Sequence, residues 1–194
     1  INSIESQKDR LIEISDNIWE AAEPALLEFK SSKYLSDYAE ENGFRVTRGV
    51  AEIPTAFVAE FGSGKPVIGI LGEFDANPGI SQKKQPTKEP LVKGAAGHGC
   101  GHNLYGTGSL GAAIAIKEMI ESGEISGTIR FYGTPAEETI FAKVWMVRAG
   151  LFDDVDVCMD WHPSDEVEAA TQSSKALVDF RLRFFGDASH ASGD

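Results

Sequence analysis

The chain has 194 residues, 42% hydrophobic and 25% charged, a composition typical of a globular protein with a buried core. Its formal net charge of −12, without any Lys/Arg-rich run, excludes nucleic acids and anionic membranes as expected partners. Two distant cysteines give no disulfide framework and favour a reducing, cytoplasmic compartment. No apolar run reaches the roughly 18 residues that span a bilayer.

The first part of the chain is predicted to be helical. Apolar residues recur at helical spacing over residues 4–29, so we expect one or two amphipathic helices that are broken near Pro24. A further helix over residues 33–42 is expected to end at Gly43, since glycine is a common residue directly after a helix.

The middle of the chain alternates strands with helices. Residues 67–71 are almost all apolar, which is typical of a strand buried on both faces of a sheet. Residues 77–99 lack periodicity, and such a long loop is often functional. The predicted strands are 44–50, 55–61, 67–71, 128–132 and 155–159, and the later helices are 104–120 and 141–149. This alternation predicts an α/β fold with helices on both faces of the sheet. Residues 174–185 alternate like one more strand, which would begin a second domain that is cut short.

Residues with chemically active side chains follow the predicted strands, where an α/β sheet places its sites. They are Glu73 and Asp75 after the third strand, Glu137 and Glu138 after the fourth, Asp160 and His162 after the fifth, and His98, Cys100 and His102 in the heptapeptide GHGCGHN. Four separate segments therefore deliver carboxylate, imidazole or thiolate groups to one edge of the sheet.

Metal binding explains these residue types. Thiolate, imidazole and carboxylate ligands suit zinc, and carboxylate with imidazole also suits manganese. Cys100 and His102 are two positions apart, so an extended loop would direct both side chains the same way. Glu137 and Glu138 cannot easily bind one ion together. One of them can be a ligand while the other acts as a base on a metal-activated water.

Each feature also has an ordinary structural explanation. Paired glutamates usually form a solvated surface, Asp75 could cap a turn, and His98 could pack a loop. Cys158 lies in an apolar strand and is expected in the core. Cys100 could instead be a nucleophile with His102 or His162 as its base. The residues alone leave a metal site, a cysteine nucleophile and a structural loop open, and only their combination favours the metal site.

The motifs GEFDA, GHGCGHN, GTIRFYGTPAEE, VRAGLFDDVD and WHP, in this order, resemble the aminoacylase/carboxypeptidase-type metal-dependent amidohydrolases, and most closely their aminobenzoyl-glutamate hydrolase branch. The resemblance runs from Val67 to the last residue. It implies an α/β/α catalytic domain of the co-catalytic zinc-exopeptidase type with two divalent ions, Zn²⁺ or Mn²⁺, and a small α+β lid domain that dimerises. Residues 1–172 would be the N-terminal part of the catalytic domain, and residues 173–194 the truncated start of the lid.

The resemblance also implies roles for individual residues. The implied metal ligands are Cys100, His102, Glu138 and His162. Glu137 would be the general base, and Asp75 would support the metal site. His190 matches a lid histidine that reaches the active site of the partner protomer and stabilises the oxyanion.

The chain departs from the family pattern in two ways. Asn103 follows the C-G-H triplet where the family often has Asp. Because the aminobenzoyl-glutamate hydrolase branch tolerates Asn there, this difference narrows the choice of subfamily to that branch. Family members are also much longer and supply one further histidine ligand. We therefore expect an N-terminal fragment that binds metal poorly and is almost inactive by itself. Its parent would hydrolyse an N-acyl amino acid or dipeptide, plausibly aminobenzoyl-glutamate, as a homodimer with or without a second related protein. A cysteine hydrolase and a non-catalytic binding or assembly domain are the alternatives.

Overall fold

The computed structural model describes residues 1–167, 169, 176, 178, 180 and 182–186. The chain divides into two units, Ile1–Pro163 and Ser164–Asp194. The first unit contains every helix and strand assigned among the described residues. The strand predicted over residues 174–185 lies largely outside the described residues, so it remains a prediction, as does the domain boundary after residue 172.

The first unit contains five α-helices, a short 3₁₀ helix (Val50–Glu52) and a five-stranded mixed sheet. The helices are α1 (Asn2–Ser6), α2 (Lys8–Ala21), α3 (Phe29–Glu41), α4 (His102–Glu121) and α5 (Ala142–Arg148). The strands are β1 (Arg45–Arg48), β2 (Phe57–Ser63), β3 (Val67–Gly72), β4 (Gly127–Gly133) and β5 (Val157–Met159). Their order is β1-β2-β4-β3-β5, in which β4, β3 and β5 run parallel while β2 is antiparallel to both β1 and β4. Within the described residues, no helix combines the length and the apolar character that crossing a membrane requires.

The N-terminal helices break near Pro24 as predicted, but their bounds differ from the prediction. α2 ends where Ala22 takes a left-handed conformation with a φ of 41°, so residues 22–28 leave the helix around Pro24. α3 begins four residues earlier than expected, because the carboxylate of Glu23 accepts hydrogen bonds from the backbone N–H groups of Lys30 (3.1 Å) and Ser31 (2.9 Å). These donors have no partner inside the helix, and a carboxylate at this end stabilises it.

The sheet is covered on both faces, as predicted. Along β4, Ile129 and Phe131 pack against α2, α3 and α4, whereas Tyr132 points to the opposite face and packs with Met146 of α5. All four side chains are fully buried, and each such burial stabilises the fold by about 1.5–3 kcal/mol. Because successive side chains of β4 point to opposite faces of the sheet, this one strand contributes to the apolar core on both faces.

β5 differs from the prediction. It lies at the end of the sheet, and Val157 and Met159 are 49% and 46% exposed. Cys158 is likewise exposed, so the prediction that it packs in the core was wrong. A short apolar run does not distinguish a central strand from an edge strand, because periodicity records apolar character and not the neighbours of a strand.

The parallel strands determine where the site forms. Because β3, β4 and β5 run in the same direction, the residues that follow them meet at one edge of the sheet. Residues 77–99 return the chain to the same edge of the sheet. They contain no helix or strand, and their one β-bridge pairs Asn77 with Gly97. α4 then begins there, at His102.

Candidate metal centre

The structure brings two groups of potential ligands together around His102. The ligand atoms of Cys100, His102 and His162 lie within 4.8 Å of one another, and so do those of Glu73, His102 and Glu137. His102 belongs to both groups and is the first residue of α4. These five side chains come from the ends of three strands and from the heptapeptide, as the sequence predicted.

A tight turn aims Cys100 and His102 at this point. Gly101 between them has a φ of 73°, in the left-handed region that favours glycine. A Cβ atom at Gly101 would also lie 3.0 Å from the ring of Pro163. Asn77 holds the preceding backbone, because its Oδ1 accepts hydrogen bonds from the N–H groups of Gly99 (3.1 Å) and Cys100 (3.2 Å). Nothing in the sequence alone singled out Asn77.

His102 is oriented so that one ring nitrogen is free. Its Nδ1 lies 2.9 Å from the backbone oxygen of Asp75 and 3.1 Å from Oδ1 of the same residue. Both are acceptors, so Nδ1 carries the proton and a neutral ring has its lone pair on Nε2. Burial opposes a charge on this ring, but the nearby carboxylates of Asp75 and Glu73 outweigh it and raise the pKa of His102 to about 10.

Two buried carboxylate oxygens converge on this nitrogen. His102 Nε2 lies 2.9 Å from Glu73 Oε2 and 3.9 Å from Glu138 Oε1. The shorter contact is not aligned as a hydrogen bond, and none of the three atoms has a hydrogen-bond partner among the described residues. Buried polar atoms without partners are costly. A cation bound between them would satisfy all three, and the nitrogen, oxygen and sulfur donors fit zinc or manganese.

Asp75 holds both His102 and the backbone of Glu138 through hydrogen bonds. Its carboxylate is fully buried, with Oδ1 at His102 and Oδ2 accepting the backbone N–H of Glu138 at 3.0 Å. Burial alone would raise the pKa of Asp75. The hydrogen bonds from His102 and from the backbone of Glu138 lower it by more than burial raises it, so the pKa lies below its ordinary value. A carboxylate behind a histidine fixes the tautomer and orientation of a metal-binding ring.

The two adjacent glutamates have different surroundings. Glu138 has the partnerless atom near His102, whereas Glu137 belongs to the group with Glu73. Burial, and then the negative charge of Glu73, raise the pKa of Glu137 above its ordinary value. Lys143 of α5 forms an ion pair with Glu73. In the sequence Glu73 is visible as a strand-end carboxylate without an evident role, and nothing there links Lys143 of α5 to the site.

Aromatic rings surround the imidazoles. The ring centroids of His102 and His162 are 5.6 Å apart, and Tyr105 lies 5.9 Å from His162. Nδ1 of His162 lies 2.9 Å from the backbone oxygen of Pro163, which leaves Nε2 available. Tyr105 is almost fully buried, and Trp161 packs against it at 5.7 Å. The aromatic stack therefore restricts the His162 ring, which is itself exposed.

His98 has different surroundings from His102 and His162. Nε2 of His98 lies 3.1 Å from the backbone oxygen of Ile18, and burial lowers the pKa of His98 to about 4. His98 belongs to neither group of potential ligands among the described residues and packs the long loop against α2. His190, the implied oxyanion-stabilising residue, lies outside the described residues.

Comparison with known sequences assigns the chain to a family. The profile of peptidase family M20/M25/M40 matches residues 69–181, more than half of the chain. The chain belongs to this family. The matched region begins in β3 and contains all the groups described above, so the resemblance inferred from the motifs is confirmed.

The M20 relatives extend the comparison beyond the matched region. One of the two subunits of the p-aminobenzoyl-glutamate hydrolase of Escherichia coli (strain K12) is 45% identical over 194 residues, which cover 98% of this chain and 40% of that protein. The other of these two subunits is 31% identical over 71% of this chain and 34% of its own length. The crystal structure of the Bacillus subtilis YXEP protein, described as a dinuclear metal binding peptidase of the M20 family, superposes with a TM-score of 0.68 at 27% identity over 79% of this chain and 42% of that one. The chain thus spans less than half the length of each.

Proposed function

We propose that this chain is the N-terminal, metal-binding part of a longer hydrolase that cleaves the amide bond of an N-acyl amino acid or dipeptide, with aminobenzoyl-glutamate as the leading candidate. The observation that carries the proposal is the convergence of partnerless, buried ligand atoms on His102. The 45% identity to part of a hydrolase named for aminobenzoyl-glutamate supports the substrate class.

Four residues would hold the metal, which is Zn²⁺ or Mn²⁺ in up to two positions. They are Cys100, His102, Glu138 and His162, and Asp75 would orient His102 and the backbone of Glu138 behind them. A divalent ion at this site supplies an acidified water and a polarised carbonyl oxygen. The dinuclear description of the Bacillus subtilis relative supports two ions rather than one.

Glu137 would move the proton. As a general base it takes a proton from the attacking water and passes it to the leaving amine. Its raised pKa suits this exchange, because a base works best when its pKa approaches the working pH. Lys143 forms an ion pair with the neighbouring Glu73, and its positive charge offsets the repulsion between the carboxylates of Glu73 and Glu137.

The remaining parts of the proposal concern the longer protein. Residues 1–172 would belong to its α/β/α catalytic domain of the co-catalytic zinc-exopeptidase type, and residues 173–194 would begin a lid through which two copies dimerise. His190 of one copy would stabilise the oxyanion in its partner's site. A cytoplasmic compartment suits the two free cysteines. Without the lid and the further histidine ligand that the family resemblance implies, the 194-residue chain is expected to bind metal weakly and to have almost no activity.

A cysteine hydrolase fits the site less well. The adjacent Glu138 carboxylate and burial raise the pKa of Cys100 to about 11. A nucleophilic cysteine needs the opposite shift, because the thiolate is the reactive form. Cys100 therefore lacks the activation that a nucleophile needs, whereas a bound divalent cation would itself deprotonate the thiol.

The test is hydrolysis of aminobenzoyl-glutamate and a panel of N-acyl amino acids by the longer protein, loaded with Zn²⁺ or Mn²⁺. We expect metal-dependent cleavage that a chelator abolishes. Glu137→Gln should lower kcat by about 10²–10⁴-fold with the metal content unchanged. Glu124→Gln, an exposed carboxylate beyond α4, is the matched control and should change nothing. Cleavage that survives complete removal of metal would overturn the proposal, and an intact protein that binds no metal would favour the non-catalytic alternative.

A further inference from the structure

Glu28, which directly precedes α3, has a fully buried carboxylate far along the chain from the candidate ligands. Its Oε2 accepts a hydrogen bond from the hydroxyl of Thr55 at 3.1 Å, and its Oε1 accepts the backbone N–H of Ala136 at 2.9 Å. It forms no ion pair with a cationic side chain among the described residues. A buried carboxylate without a cation is costly, so its retention at this position requires an explanation.

Ala136 is the residue before Glu137, and its backbone is strained. It has a φ of 55°, in the left-handed region that residues other than glycine rarely adopt. The turn is also buried, so its N–H groups must find partners inside the protein. Such a conformation persists only where the surroundings hold it in place.

Two buried carboxylates hold this turn on either side of Glu137. Glu28 accepts the N–H of Ala136, and Asp75 accepts the N–H of Glu138 at 3.0 Å. The same N-terminal segment also contacts the turn that carries Asp75, since the backbone oxygen of Glu23 accepts the N–H of Ala76 at 2.9 Å. Residues 22–28 therefore connect the turn after β3 to the turn after β4.

We propose that Glu28 is a positioning residue that fixes the backbone of Glu137 and thereby the direction of its carboxylate. This role rests on the proposed function of Glu137 as the general base. Glu28 belongs to neither group of potential ligands among the described residues, and its link to Glu137 is the hydrogen bond from the Ala136 N–H. Burial and the nearby charge of Asp75 raise the pKa of Glu28.

The test compares three variants. Glu28→Gln keeps an acceptor for Ala136, whereas Glu28→Met keeps the volume but removes the acceptor. Glu23→Gln is the matched control, because that carboxylate holds the start of α3 and not the turn. Amide hydrogen exchange of the 194-residue chain and steady-state kinetics of the longer metal-loaded protein are measured for each.

In Glu28→Met we expect the amide hydrogens of residues 136–138 to exchange at least about tenfold faster, because the turn opens more often without the acceptor for the Ala136 N–H. Its kcat should fall by about 10²-fold, while KM stays within about threefold and the metal content is unchanged. Glu28→Gln should keep both exchange and kcat within about threefold of the parent protein. Glu23→Gln should affect exchange only at the start of α3.

Two results would overturn this inference. One is a folded Glu28→Met protein with the parent's kcat and the parent's exchange at residues 136–138. The other, decisive even where Glu28→Met does not fold, is a Glu28→Gln protein that loses kcat while its exchange is unchanged. If the longer protein has no hydrolase activity, the exchange results still decide whether Glu28 holds the turn, so failure of the proposed function remains distinguishable.

Discussion

Asp75→Asn replaces one oxygen of a fully buried carboxylate by an NH₂ group. In the parent structure both carboxylate oxygens accept hydrogen bonds, one from His102 Nδ1 at 3.1 Å and the other from the N–H of Glu138 at 3.0 Å. The asparagine oxygen can serve only one of these donors. If it serves Glu138, the NH₂ group faces Nδ1 of His102 and opposes the backbone oxygen of Asp75, which still accepts from Nδ1 at 2.9 Å. The tautomer with its proton on Nε2, which has no lone pair there for a metal ion, is then populated more than in the parent.

The expected loss is large enough to measure. Substitutions behind metal-binding histidines typically lower metal affinity by about 10–100-fold. This corresponds to about 1.4–2.8 kcal/mol of binding free energy. Asp75 holds both a candidate ligand and the backbone of another, so we expect the upper half of this range.

Metal affinity is measured by competition with a chromogenic chelator in the longer protein and by titration calorimetry in the 194-residue chain. The control is Asp156→Asn, the same substitution at the opposite end of β3, where Asp156 accepts the N–H of Val67 at 2.6 Å. Asp156→Asn should leave metal affinity unchanged. An Asp75→Asn protein that folds and binds Zn²⁺ within about twofold of the parent would refute the role assigned to Asp75.

Two further predictions concern stability, measured as the free energy of unfolding in urea. Gly106→Ala should lower the free energy of unfolding by about 1–3 kcal/mol, because its Cβ would lie 2.6 Å from the backbone oxygen of Glu73. In Gly111→Ala, in the same helix, the new Cβ meets only the end of the Leu11 side chain at 3.0 Å, so the free energy of unfolding should change by no more than about 1 kcal/mol. Equal effects of the two would contradict this close approach of α4 to the turn after β3. Burial raises the pKa of Glu28 above its ordinary value of 4.5, so its contribution to stability is complete below that pH and is lost as the pH rises through the raised pKa. Glu28→Gln should therefore gain stability relative to the parent between acidic and neutral pH, and a difference that is constant with pH would show that Glu28 does not titrate this way.

The elements that carry strong local signals were predictable from the sequence. The apolar runs of β3 and β4 and the long helix α4 lie where periodicity placed them, because two-faced burial leaves a nearly continuous apolar pattern. The start of α3 was misplaced, since it depends on a hydrogen-bonding carboxylate, Glu23, that precedes the helix by several residues. The exposure of Cys158 depends on which strands pair with β5, and no local pattern records that.

The candidate site divides in the same way. Cys100, His102, Glu137, Glu138 and His162 were predictable, because their residue types and their positions after strands are both visible in the sequence. The contacts of Lys143 with Glu73 and of Glu28 with Ala136 were not predictable, because each joins segments that are distant in the chain. Such contacts follow from the packing of α3 and α5 against the turns and not from any motif.

The most direct measurement of the central claim is X-ray absorption spectroscopy of the zinc-loaded longer protein. We predict one sulfur ligand at about 2.3 Å with nitrogen and oxygen ligands at about 2.0–2.2 Å, and loss of the sulfur ligand in Cys100→Ala. Cys158→Ala, which removes the other cysteine, should leave the spectrum unchanged. A zinc site without sulfur in the parent protein, or a spectrum that is unaffected by Cys100→Ala, would contradict the metal centre proposed for this chain.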